Sequence, residues 1–179
     1  MKLSTLTIGL GLVYSLPHIF ALLKPAAFTG AAQKFPRCEK TGYVLTILGT
    51  LWFLANVQSE TISDFTSYKN IMLLGFGAVG LLACLFVKDF LAIRGLAIVL
   101  LVAAKLILDT ARWHESQWRL VLSVLAYGWI IAGIWLTISP WRLRDWLNWV
   151  TKSHARLRLF STVRLAFGLL LLALGLFVF

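Results

Sequence analysis

The residues of this chain able to carry chemistry are few and scattered. Three histidines (His18, His114, His154), two cysteines (Cys38, Cys84) and seven acidic residues are spread over 179 positions. Lys105 and Asp109 stand four apart inside an apolar stretch, which places them one helical turn from each other and predicts an internal ion pair. Ionisable groups at membrane depth are costly and are the default functional suspects. A pathway, however, needs partners on another helix, and the nearest polar residues elsewhere are Tyr14, Asn56 and Tyr127. Structural pairing is therefore the favoured reading of Lys105 and Asp109. A small oligomeric transporter or channel lined by Lys105, Asp109 and Arg94 is the alternative.

The histidines do not predict a haem pair, because bis-histidine ligation needs two imidazoles facing each other at one depth. His18 lies near the end of the first apolar run, directly after Pro17, and His114 falls on the opposite side of the expected topology. His18 alone remains as a ligand for haem or pigment, or as part of a lipid-modifying site, a third reading. Nucleophilic catalysis has no support: neither cysteine has a histidine beside it, and GxSxG and HExxH are both absent. Glu39, Asp89 and Asp145, one per basic connector, are too sparse to predict a catalytic metal. Gly75, Gly77 and Gly80 in LLGFGAVGLL satisfy GxGxxG. A dinucleotide fold would need a strand before that motif and a soluble helix after it, and the motif lies inside an apolar run. Close helix packing explains it better, as it explains Gly80 with Cys84, Gly11 with Ser15 and Gly128 with Ala132, each pair four apart, and the central Gly168. No catalytic residue, resident cofactor or metal is predicted, and bound lipid is.

What must position these residues is a membrane-embedded scaffold. Hydrophobic residues make up 60% of the chain and charged ones 13%, with mean hydropathy +0.85; soluble domains are roughly 45–50% apolar and about 25% charged. Apolar runs of bilayer length, about 20 residues, recur at 3–23, 42–57, 71–87, 90–111, 118–138 and 159–179. The expectation is an all-α integral membrane bundle of six transmembrane helices in three hairpins, one domain over 1–179. The first run resembles a signal peptide, with Lys2 ahead of it and small residues near Ala31, and is expected to be retained. No tail is expected beyond the last run.

Cytoplasmic loops are enriched in Lys and Arg. Of the 17 basic residues, twelve fall on connectors one, three and five (Lys24 to Lys40, Lys88, Arg94, Arg142 to Arg164) and five on the other side. Both termini are thus expected outside the cytoplasm. A net charge of +10 serves topology and anionic lipid in this setting, not nucleic acid. The last inner connector, 141–157, places Leu143, Trp146, Leu147, Val150 and Leu157 on one stripe, which predicts an amphipathic interfacial helix. Trp141, Trp146 and Trp149 suit headgroup depth, and Arg142, Arg144, Lys152, Arg156 and Arg158 suit phospholipid phosphates. The first connector, 25–36, repeats the design more weakly with Phe28, Ala31, Ala32 and Phe35 between Pro25 and Pro36. Between the third and fourth runs Lys88 ends one helix, and Asp89 is placed to cap the next. The recurrence of hairpin, proline and basic segment suggests a parallel threefold repeat.

The C-terminal third, SPWRLRDWLNWVTKSHARLRLFSTVRLAFGLLLLALGLFVF with AYGWIIAGIWLTI before it, resembles small two-helix bacterial inner-membrane proteins of the YjeT type. Pro140, Trp141 and Arg142 stand where that family has its Pro-x-Trp-Arg-like turn, although here proline and tryptophan are adjacent. Leu157, Arg158 and the Gly168 and Gly175 pair also match. The resemblance implies a bacterial inner-membrane hairpin and bears on location more than on function. The expected role is a non-enzymatic subunit that stabilises a larger complex, with other membrane subunits or copies of itself as partners.

Overall fold

The computed structural model describes residues 2–60 and 68–179. Every element among them is helical: α1 Leu3–Leu23, α2 Pro25–Lys34, a 3-10 turn Phe35–Arg37, α3 Glu39–Ser59, α4 Lys69–Phe86, α5 Leu91–Ala111, α6 Arg119–Ile138, α7 Trp141–Thr151 and α8 His154–Phe177. Of the connector expected between the second and third runs, residues 61–67 lie outside the described residues.

Proline sets several of these boundaries. A residue before proline is driven out of the helical region, and proline itself is tolerated at a first turn. Hence α1 stops at Leu23 with Lys24 at φ −132° and ψ 69°, and Pro25 opens α2. Pro140 does the same between α6 and α7. The expected interfacial segment 141–157 is divided. Ser153 is extended, at φ −129° and ψ 126°, so α7 ends at Thr151 and Leu157 belongs to α8 instead of the α7 stripe. Asp89 does not cap α5: no backbone N–H of the next turn reaches its carboxylate among the described residues. The turn is made by Phe90 at φ 57°, the left-handed region, whose carbonyl accepts from Ile93 and Arg94 at 3.0 and 3.1 Å.

Five helices among the described residues, α1, α4, α5, α6 and α8, are long and apolar enough to cross a membrane. The sixth expected span, α3, has the same 21 residues as α1 but carries Glu39, Lys40, Asn56 and Gln58 and falls short in apolar character.

Two compact units divide the chain: Met1–Lys34, Ala104–Gly128 and Arg144–Phe179 in the first, Phe35–Ala103 and Trp129–Leu143 in the second. In the first, α1 and α8 lie antiparallel along their whole length, as their close approaches run from Ser15 with Gly168 to Ile8 with Gly175. Their buried residues recur at helical period: Leu3, Thr7, Leu10, Gly11, Ser15 and Ala21 on α1, and Leu157, Ser161, Gly168, Leu171 and Gly175 on α8. Gln33 on α2 donates to Thr151 Oγ1 on α7 at 3.2 Å, tying the two amphipathic connectors together. In the second unit, α3 meets α5 through Gly42, Gly49 and Gly95, and meets α4 in antiparallel fashion at Thr50 with Gly80 and Phe53 with Phe76. Lys69 Nζ donates to the Glu60 carbonyl at 2.9 Å, joining the two chain ends of that pair.

In both units small and hydroxyl residues share the interior with buried Leu, Ile and Val, and Leu16, Ile47, Leu51, Leu74, Ile134 and Leu170 are nonetheless exposed. Apolar surface on that scale is stable against lipid and unstable against water, so the protein is membrane-embedded.

Candidate functional site

Lys105 and Asp109 form the pair that their spacing predicts, Nζ to Oδ2 at 2.7 Å, on an exposed face of α5. The histidines remain separate. His114 Nδ1 accepts from the Ser116 N–H at 3.3 Å, and its ring meets the edge of Phe179, 5.1 Å between centroids. His154 is exposed at the start of α8. Among the described residues no three His, Cys, Asp or Glu side chains converge.

Of the small residues expected at helix seams, Gly11 and Gly168 face each other. A Cβ on Gly11 would come within 2.9 Å of the Gly168 carbonyl. A Cβ on Gly80 would meet the Thr50 side chain. Gly75 and Gly128 have nothing within 4 Å, and beside the half-buried Ala132 it is Gly133 that packs tightly, against Leu101.

On the amphipathic connector, Trp141, Arg142, Trp146, Trp149, Lys152, Arg156 and Arg158 are exposed, and Arg144 is half-buried. Arg144 pairs with Asp145, Nη2 to Oδ1 at 2.8 Å. Arg156 lies 4.7 Å over the Trp149 ring. Val150 supplies the buried stripe.

His18 stands in a cluster assembled by four helices of the first unit. Its ring meets the edge of Phe160 on α8 at 5.7 Å and lies 6.4 Å from Phe28 on α2. Trp146 on α7 meets the same Phe160 at 4.8 Å. The Arg164 guanidinium sits 4.9 Å over Phe160 and 5.5 Å over Tyr14. Sequence reasoning took Arg164 only as a topology charge. Its signal was its place inside the run 159–179, three residues after Ser161 and four before Gly168, where a lone cation is expensive.

Cys38 caps the start of α3, and Thr41 Oγ1 donates to its Sγ at 3.2 Å. That hydrogen bond, the Thr41 and Lys40 backbone N–H groups and the Lys40 charge hold the thiol below its ordinary pKa despite a small opposing burial effect. Cys84 is buried on α4. No protein-family model, curated protein or solved structure matches the chain.

Proposed function

We propose that this chain is a non-enzymatic integral membrane subunit that packs against other membrane helices and stabilises a larger assembly in a bacterial inner membrane. α3 serves as a sixth span: its 21 residues rise about 31 Å, close to the ~30 Å hydrocarbon core, and Val44, Ile47, Leu48 and Leu51 turn outward from it. The charge asymmetry supports both termini outside the cytoplasm, with α2 and α7 lying on the inner surface against anionic phospholipid.

One observation carries the subunit reading. α4 has a single buried residue, Cys84, while Gly75, Val79, Leu82 and Phe86 share an exposed face by helical spacing. Glycine weakens a helix unless a neighbour uses the close approach it permits. Nothing lies within 4 Å of Gly75, so the face is shaped for a helix from another chain.

The test is site-directed cross-linking from Val79→Cys in native membranes, in a Cys38→Ala and Cys84→Ala background, followed by extraction in mild detergent. The expected product is an adduct with a second membrane protein. A chain that stays uncross-linked and purifies as a solitary monodisperse species would sink the proposal.

A further inference from the structure

Arg164 stands ten residues into α8, which begins at His154, about 15 Å along the helix axis. No carboxylate or carbonyl hydrogen-bonds its guanidinium among the described residues; the rings of Phe160 and Tyr14 are its neighbours. Contact with a ring face softens the charge but satisfies none of the five N–H donors in the guanidinium plane. On the same seam, three further polar atoms are buried without a hydrogen-bond partner: Ser15 Oγ, His18 Nδ1 and Ser161 Oγ. Ser161 and Ser15 are 0% and 3% exposed.

Spacing brings these groups together. Ser161 and Arg164 are three apart on α8, and Ser15 and His18 are three apart on α1, so each pair lies on one helix face. Ser15 packs against Gly168, and His18 and Arg164 share Phe160 between them. Buried polar atoms are paired in roughly 90% or more of cases. Here three unpaired ones lie on the same seam as a cation with no anion among the described residues.

The complement of this set is a group with one negative charge and several acceptor oxygens, which is a phosphate. Its surroundings specify the rest of the molecule. Leu16, Ile19, Leu159 and Val163 are exposed on the flanks of the same two helices and offer apolar surface to acyl chains. We infer that Arg164, His18 and Ser161, with Ser15 beneath them, bind the phosphate of an anionic phospholipid on the α1 and α8 seam. The site is distinct from Arg142 on α7 and Arg156 and Arg158 on α8, which are exposed. It does not depend on the docking role of α4.

The full chain in mild detergent, stripped of endogenous lipid, is titrated with phosphatidylglycerol, phosphatidylcholine and inorganic phosphate and read by native mass spectrometry. Phosphatidylglycerol is expected to bind one per chain. Arg164→Gln weakens it about tenfold or more, the loss of a charge-assisted hydrogen bond. Arg164→Lys, which keeps the charge without the planar fork, falls between, and Ser161→Ala costs about threefold. The exposed Arg112→Gln, remote from the seam, leaves binding unchanged. Displacement of the lipid by inorganic phosphate would identify a free phosphate as ligand of the same residues, while retention identifies the lipid. Equal loss in Arg164→Gln and Arg112→Gln, or binding of neither lipid nor phosphate, overturns the site. Should Arg164→Gln fail to fold, Ser161→Ala and Arg164→Lys decide it.

Discussion

The α1 and α8 seam of the first unit and the α3 and α4 seam of the second draw on the same residue types, glycine with serine or threonine, and pack differently. At Gly168 a new Cβ would meet backbone atoms, Ser15 N at 3.0 Å and the Gly11 carbonyl at 3.1 Å. At Gly80 the obstacle is only the Thr50 side chain, and at Gly77 the nearest atom is Leu54 Cδ1 at 3.7 Å. Beside the looser pair an apolar groove of about 280 Å³ remains open, lined by Thr50, Phe53, Phe76, Gly80, Ile98 and Leu101. A small residue thus makes its least yielding joint where backbone approaches it. Where the neighbour is a side chain, the contact is as close but the joint has more room to adjust.

The sharpest way to break this comparison is Gly168→Leu. Backbone cannot move aside without separating α1 from α8, so destabilisation of about 3 kcal/mol or more is expected, at the upper end for overpacking, and little folded protein should survive extraction. The second unit has a tight joint of its own at Gly42, where a Cβ would lie 2.9 Å from the Ala92 nitrogen. Gly42→Ala is expected to cost about 1–3 kcal/mol, measured as a lowered Tm in micelles. Gly80→Ala is expected to cost about 1 kcal/mol, the low end for overpacking, since the methyl group meets only the Thr50 side chain and a small shift of α4 relieves it. Equal losses at Gly168, Gly42 and Gly80 would erase the distinction between the seams.

How far the sequence foresaw this depends on the kind of signal. Helix limits were legible in part, because hydropathy averages over many residues: 3–23 coincides with α1, and 90–111 and 118–138 differ from α5 and α6 by one residue at the start, whereas 42–57, 71–87 and 159–179 begin two to five residues inside α3, α4 and α8, whose first turns are polar or charged. The α7 stripe was legible as period, but its end was not. Leu157 keeps the phase of Leu143, Leu147 and Val150, and only the extended Ser153 separates them. Phe90 was illegible in another way, because a left-handed bulky residue contradicts local preference and is held by tertiary context. The pairing of α1 with α8 joins residues at opposite ends of the sequence, and no local pattern encodes which small residue meets which. Gly75 and Gly168 look alike in one dimension. The Arg164 cluster was hidden for the same reason, as its aromatic walls come from four separate helices.

The tight joint between α3 and α5 places a reporter at its edge, since Cys38 lies one helical turn before Gly42, whose N–H donates to the Cys38 carbonyl at 2.9 Å. The thiolate is the reactive form, so alkylation accelerates as pH rises through the thiol pKa. Because Thr41 and its neighbours hold that pKa low, half-maximal rate is expected at lower pH than for an unstructured peptide thiol. Thr41→Val removes one donor and moves the midpoint upward without altering the seam. A midpoint that does not respond would mean the Thr41 hydroxyl is not directed at Sγ in the membrane-bound protein.

The smallest effect is expected at Lys105, and its size separates scaffold from pathway. The pair with Asp109 is confined to one helix face and is exposed at both ends, 44% and 53%. An exposed pair one helical turn apart contributes at most about 0.5 kcal/mol, so Lys105→Ala should barely change Tm. In proteoliposomes it should leave any ion flux unchanged, because a charge already neutralised within its own turn offers a moving ion no free partner. If Lys105→Ala instead abolished a measurable flux while leaving Tm alone, α5 would have to face a conducting path, and the exposed face of α4 would become the surface through which copies of the chain enclose it.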